Sequence, residues 1–95
     1  MPRSTAHVAT AAAARYAKQL AAHLSRHAPA TWDGVDGTIT MPFGRCEMSA
    51  EVDQLVLRAE APDDEALARV EEVVGQHLER FARRSDLSVE WVRLT

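Results

Sequence analysis

Two stretches of the chain place apolar residues at spacings of three and four, which is the period of an amphipathic helix. The first predicted helix begins at a cap on Thr10 and extends through Arg26. The second begins at Pro62, which suits a first helical turn, and ends near Arg83. The apolar stripes are Tyr16, Leu20, His23, Leu24 and His27 in the first helix, and Leu67, Val70, Val74, His77, Leu78 and Phe81 in the second.

Alternation of apolar and polar residues predicts five strands. The clearest is the segment Leu55–Glu60, in which Leu55, Leu57 and Ala59 share one side. A turn rich in Asp and Gly at Trp32–Gly37 follows a short strand. Residues 38–50 are predicted as one long strand with a kink or bulge at Pro42. The remaining strands are Thr5–Thr10 and Leu87–Val92.

The predicted order of elements is β-α-β-β-β-α-β, an α+β fold with two helices packed on one face of an antiparallel sheet. No linker is long enough to divide the chain, so residues 1–95 are predicted to form a single domain. An odd number of strands separates the helices in this order. The helices are therefore predicted to run in the same direction, whereas an even number of strands would make them antiparallel.

The composition is that of a globular protein, with 46% hydrophobic and 26% charged residues. No apolar run approaches the roughly 18 residues that a membrane helix needs, and the alanines before Arg15 are too few for a secretory signal. The single cysteine, Cys46, cannot form an internal disulfide. These features predict a soluble protein with a cytoplasmic location and no membrane partner.

The net charge of −3 is unevenly distributed along the chain. Residues 1–27 contain four basic residues and no Asp or Glu, so the rest of the chain is acidic. Nucleic-acid binding needs a dense basic surface with aromatic residues, which four dispersed cations do not provide. The asymmetry indicates either two solvated helix faces of opposite charge or two faces that meet in a homodimer.

The candidate chemistry lies in histidines on the predicted apolar stripes. His23 and His27 are four residues apart, a spacing that places two imidazoles on one helix face. If the helices run in the same direction, His77 lies at the level of His23, with Cys46 below them in the sheet. His23, His77 and Cys46 then form a candidate site for Zn, Fe or Cu. The ordinary alternative is a set of core or boundary histidines and a small buried thiol.

Lys18 and Gln19 point away from the stripe and form a small polar patch with Arg15. They join His23, Cys46 and His77 as candidate contacts for a small ligand. The sequence leaves the identity of any cofactor open.

Three functions fit these residues, and the sequence slightly favours the first. The first is a binding or accessory module that uses His23, His77 and Cys46 for a metal or a metal-bearing ligand. The second is a small enzyme in which Cys46 is a nucleophile or redox thiol and a histidine is its base. The third is a structural homodimerisation domain.

A set of residues scattered over nearly the whole chain matches a known family. It consists of Arg15-Tyr16, Lys18-Gln19-Leu20, His23, Pro42-Phe43-Gly44, Cys46, Leu55, Leu57, Ala61-Pro62, His77-Leu78, Arg80-Phe81 and Trp91. In these positions the chain resembles a family of small bacterial proteins called domain of unknown function 2218. The resemblance implies a compact α+β domain without an established activity, and an accessory role related to iron–siderophore handling. It also implies that His23, Cys46 and His77 occupy positions of the family's motif.

Overall fold

The computed structural model describes residues 1–26, 28–81 and 87–94, which form six strands and two helices. None of the helices described there is long and apolar enough to cross a membrane. His27 and Arg83, which the sequence analysis placed on or at the end of helices, lie outside the described residues. In chain order the elements are β1 (Arg3–Ala9), α1 (Ala13–Leu24), β2 (Ala30–Trp32), β3 (Asp36–Met41), β4 (Gly44–Ala50), β5 (Gln54–Glu60), α2 (Asp64–Phe81) and β6 (Trp91–Leu94).

The strands form one antiparallel sheet in the order β2-β3-β4-β5-β1-β6. Side chains alternate between the two faces, and both helices cover the same face. This arrangement confirms the predicted α+β fold. The buried side chains of the covered face include Ala6, Val8, Ile39, Met41, Cys46, Met48, Leu55, Leu57 and Ala59, and α1 and α2 pack on them through Leu20, Leu24, Leu67, Val70, Val74 and Leu78.

Residues 38–50 form two strands, so the prediction of one bent strand is wrong. β3 and β4 pair as a hairpin in which Met41 lies opposite Gly44, and only Pro42 and Phe43 separate them. The sequence argument failed because a two-residue turn and a one-residue bulge shift the apolar alternation by the same single position. Periodicity alone therefore does not distinguish a hairpin from a kinked strand here.

Gly44 is required where β4 begins, because the backbone approaches two neighbours closely. A Cβ atom at this position would lie 2.6 Å from the carbonyl oxygen of Glu60 and 2.7 Å from Cγ2 of Val70. The absence of a side chain thus lets the start of β4 pack against the end of β5 and the first half of α2.

Four strands rather than three separate the helices, so the prediction that the helices run in the same direction is also wrong. β1 and β2 point the same way, and β5 and β6 both point the other way. The two helices therefore return across the sheet in opposite senses. Strands β6, β1, β5 and β4 with both helices follow the chain order of a β-α-β-β-α-β unit, into which the hairpin β2–β3 is inserted.

A polar side chain caps the second helix, whereas the first helix has no side-chain cap. Asp63 accepts a hydrogen bond from the N–H of Ala66 at 2.8 Å and so caps α2. Thr10 accepts one from the N–H of Ala12 at 3.0 Å, but α1 begins only at Ala13, later than the sequence predicts.

The turn between β2 and β3 is closed by the carboxylate of Asp33, as the Asp- and Gly-rich sequence predicts. It accepts hydrogen bonds from the N–H of Val35 at 2.9 Å and of Asp36 at 2.7 Å. These bonds hold the pKa of Asp33 below its usual value, with Asp36 as the largest contributor. Gly34 adopts a φ of 105°, which favours glycine at this position.

The strand predicted over Leu87–Val92 is observed at Trp91–Leu94. The N–H of Val89 donates a hydrogen bond to Glu79 at 3.2 Å, so this part of the segment binds a side chain of α2. Arg93 then joins β6 to α2 through two hydrogen bonds to Glu71, at 3.0 and 3.1 Å. The contact with Glu71 raises the pKa of Arg93.

Candidate functional site

The structure brings His23 and His77 into contact between the two helices. Their ring centroids are 4.9 Å apart, with the ring planes inclined by 47°. His23 also meets the ring of Phe81 edge to face, at a centroid distance of 5.2 Å. Both histidines are half-buried, at the boundary between the core and solvent. The contact therefore forms without the shared helix direction on which the sequence argument depended.

The orientation of the His77 ring is fixed by its own helix. Its Nδ1 atom lies 2.6 Å from the carbonyl oxygen of Val73, one turn earlier in α2. A carbonyl oxygen can only accept a hydrogen bond, so Nδ1 carries the proton and donates it. In the neutral ring, Nε2 then keeps its lone pair for another partner.

An apolar pocket with a volume of about 250 Å³ adjoins His77. Its walls come from the end of α1 and the residue Ala28 that follows it, from the β3–β4 turn, and from α2. The imidazole of His77 is its one ionisable wall group among the described residues. The lining residues are Leu24, Ala28, Met41, Pro42, Phe43, Val73 and His77, and together they are called the apolar pocket below.

Phe43 is held in the wall of the apolar pocket by a cation–π contact. The guanidinium carbon of Arg69 lies 4.3 Å from the centroid of its ring. Arg69 belongs to α2, so this contact ties the β3–β4 turn to the helix that carries His77. The aromatic wall of the pocket is thereby fixed relative to the imidazole.

Cys46 lies in the middle of the core on β4 and is completely buried. Burial raises the pKa of its thiol to about 12. A reactive or metal-binding cysteine needs a stabilised thiolate and access to solvent, and Cys46 has neither. The described part of the chain contains no group of three His, Cys, Asp or Glu side chains that could hold a metal ion, so Cys46 does not join the histidine pair there.

Lys18 and Gln19 are exposed on α1, as the sequence predicts. Gln19 lies one helical turn before His23 and therefore on its side of the helix. Lys18 is displaced around the helix from that side. Of the two, Gln19 is the one that the helix places near the histidine pair.

Comparison with known proteins gives a family for this arrangement. The family described as "Uncharacterized protein conserved in bacteria" (DUF2218) matches residues 5–92. The chain belongs to this family. The NMR structure of PA4090 from Pseudomonas aeruginosa is 34% identical to this DUF2218 chain, and the two share a fold with a TM-score of 0.81. The match covers 97% of this chain and 96% of that chain. No curated protein matches the chain.

The sequence analysis of this DUF2218 chain did not predict the apolar pocket, although it considered several of the residues that line it. Met41 and Phe43 were assigned to a continuous strand, where they would have been ordinary sheet core. The hairpin instead places Pro42 and Phe43 at the end of the sheet, beside α2. The signal that could have shown this was Pro42 itself, since proline is well suited to a tight turn and unsuited to a central strand.

Proposed function

We propose that this DUF2218 domain is a binding module that holds a transition-metal ion between the imidazoles of His23 and His77. The observation that carries the proposal is the distance of 4.9 Å between the ring centroids. Two imidazoles that bind one metal at about 2.0 Å, with an angle of about 90–110° between them, have centroids about 4.5–5.2 Å apart. The centroids of the pair therefore have the spacing of two imidazoles that share one metal ion.

The hydrogen bond of His77 supports the same function. Metal-binding histidines usually donate their second ring N–H to a carbonyl or carboxylate oxygen, which fixes the ring and its tautomer. His77 makes such a bond to the carbonyl of Val73 at 2.6 Å. The free lone pair of Nε2 is then the one that a metal ion would take.

The composition of the site indicates which metals it would take and how it would use them. Imidazole ligands suit Zn, Cu, Ni and Fe, whereas Mg and Ca prefer oxygen ligands. Two protein ligands leave at least two coordination positions for water or for another molecule. A site of this kind suits reversible binding of the metal better than a permanent structural role.

Calorimetric titration of tag-free protein with Zn²⁺ or Cu²⁺ tests the proposal. We expect one ion per chain, and we expect His23→Ala and His77→Ala each to weaken binding by at least about tenfold. His7→Ala is the matched control, because His7 lies exposed on the uncovered face of the sheet, with Nδ1 3.2 Å from Oε1 of Gln54.

Rings that are 4.9 Å apart can also simply pack against each other. The double variant of His23 and His77 separates the two cases. Metal binding that is equal in the wild type and in the double variant, or that is lost only in His7→Ala, would mean that the pair is a packing contact.

A further inference from the structure

The apolar pocket extends from the core to the surface at the end of the sheet where β3 turns into β4. Its volume is about 250 Å³. Among its lining residues Leu24 and Met41 are buried, Pro42 is exposed, and the other four are half-buried. A small molecule therefore has a route from solvent to the inner walls without unfolding of the domain.

The walls of the apolar pocket are fixed to one another. The N–H of Ala28 donates a hydrogen bond to the carbonyl oxygen of Leu24 at 2.9 Å, and the N–H of Thr40 donates one to the carbonyl oxygen of Pro29 at 2.9 Å. These bonds tie the segment after α1 to its own helix and to β3. The cation–π contact described above ties the β3–β4 turn to α2. The cavity is therefore preformed, as ligand sites usually are.

The surface of the apolar pocket carries no fixed charge. Within residues 1–26, 28–81 and 87–94, no Asp, Glu, Lys or Arg lines it, and its walls are almost entirely apolar. The imidazole of His77 already donates its Nδ1 proton to the carbonyl oxygen of Val73, at 2.6 Å. Such walls favour an apolar occupant, and they penalise a charged one because its hydration is lost without compensation.

Two wall residues favour an aromatic ring over an alkyl chain. Phe43 provides a ring for edge or offset stacking, and the thioether of Met41 makes favourable contacts with aromatic rings. An apolar cavity of about 150 Å³ holds one benzene ring, so a volume of about 250 Å³ suits one substituted ring or two fused rings. We propose that the apolar pocket is a binding site for a small uncharged aromatic molecule. This inference needs no metal ion and is independent of the proposed metal site.

The surroundings of the pocket favour a small molecule over a protein partner. A stable protein interface buries about 800 Å² on each partner, far more than seven lining residues provide. The large hydrophobic side chains that the described chain exposes all belong to other segments, so no apolar surface flanks the pocket. They are Met1, Val35, Val52, Val92 and Leu94.

The test uses fluorobenzene as the probe and protein labelled with ¹³C at the methionine methyl groups. The chain has 3 methionines, and each reports on a different setting. Met41 lines the pocket, Met48 is buried beside Gly37, and Met1 is 79% exposed. We expect fluorobenzene to shift the Met41 signal saturably through its ring current and to leave the other two unchanged. EDTA is present throughout, so the result does not depend on metal binding by the histidine pair.

Ala28→Phe fills the pocket with a ring of the chain itself, and we expect it to weaken fluorobenzene binding at least about tenfold. Ala22→Phe is the matched control, because Ala22 is exposed on α1 and the added ring lies in solvent. It should bind as the wild type does. Ala28→Leu gives the same comparison if Ala28→Phe does not fold, and circular dichroism reports folding.

Benzoate has the same ring with a negative charge, and it should bind at least about tenfold more weakly than fluorobenzene. Equal binding of the two would overturn the uncharged class of ligand. The site itself is overturned if the Met41 signal does not saturate, if Met1 and Met48 shift equally, or if folded Ala28→Phe binds like the wild type. A Met41 signal that moves with protein concentration alone would mean that a second copy of the chain occupies the pocket, which also overturns the proposal.

Discussion

Cys46 and the pair of His23 and His77 were equal candidates as metal ligands, yet they lie in two opposite regions of the molecule. Cys46 is in the centre of the core, where no solvent reaches it and burial raises the pKa of its thiol to about 12. The histidines are at the edge of the same core, half-buried beside a cavity. The centre stabilises the neutral form of a group, whereas the edge can orient a group and still admit a ligand.

The uncovered face of the sheet shows polar and charged side chains in a third setting, exposed to solvent. There Arg45 forms ion pairs with Glu47 at 3.4 Å and with Glu60 at 3.5 Å, and Arg58 donates a hydrogen bond to Ser49 at 3.0 Å. Such exposed pairs are screened by water and contribute little energy. The difference teaches that candidate chemistry in this small domain depends on partial burial, which neither the core centre nor the open face provides.

The strongest test of this comparison is the chemical reactivity of Cys46. We expect iodoacetamide to alkylate the native thiol at pH 8 at least about a thousandfold more slowly than the denatured thiol, because reaction requires the core to open. The rate should rise steeply in denaturant. A native thiol that reacts rapidly at neutral pH would mean that solvent reaches Cys46, as it reaches the two histidines.

The raised pKa of Cys46 also makes the free energy of unfolding depend on pH. Well below pH 9 the thiol is neutral in both the folded and the unfolded chain, so it contributes no pH dependence to stability there. Between the unfolded pKa of 9.0 and the folded pKa of about 12, only the unfolded chain ionises, and the free energy of unfolding falls as pH rises. Cys46→Ala should show a flatter decline over this range in denaturant titrations.

The next largest effect contrasts a core side chain with a member of the pair. Leu67 is completely buried on α2, and Leu67→Ala should lower the free energy of unfolding by about 2–5 kcal/mol. His23→Ala should lower it by about 1 kcal/mol or less, since His23 is only half-buried. Urea unfolding curves of both variants give the comparison, and equal losses would place His23 energetically in the core.

The fold was predictable from sequence wherever one face of an element is buried. Leu55, Leu57 and Ala59 alternate because β5 has one covered face, and the stripes of both helices gave their positions for the same reason. The hairpin of β3 and β4 was not predictable, because its two-residue turn and a bulge leave the same pattern. That single ambiguity changed the strand count and, with it, the expected direction of the helices.

The residues of the candidate site were predictable from the sequence, but their contact was not. The stripes indicated that His23 and His77 face inward, but whether they meet depends on how the two helices cross, which no local pattern records. Cys46 alternates in phase with Met48, and both are buried in the structure. This phase already indicated a core position, and it was the better guide to Cys46 than its chemistry.

The smallest expected effect is a gain in the free energy of unfolding, whereas the substitutions of Leu67 and His23 are expected to lower it. Ser4 is 1% exposed on β1, and its hydroxyl has no hydrogen-bond partner in the part of the chain that the structure describes. Ser4→Ala should therefore raise the free energy of unfolding by about 1 kcal/mol, because it removes the cost of burying an unpaired polar group.

Ser49→Ala is the matched control on the uncovered face, where the hydroxyl donates to Asp36 at 2.8 Å and accepts from Arg58 at 3.0 Å. We expect this variant to lose about 0.5–1 kcal/mol, so the same substitution should change stability in opposite directions in the two regions. Thermal unfolding of both variants measures the difference. A loss of stability in Ser4→Ala would show that the hydroxyl of Ser4 has a partner, and that the core tolerates polar groups better than Cys46 suggests.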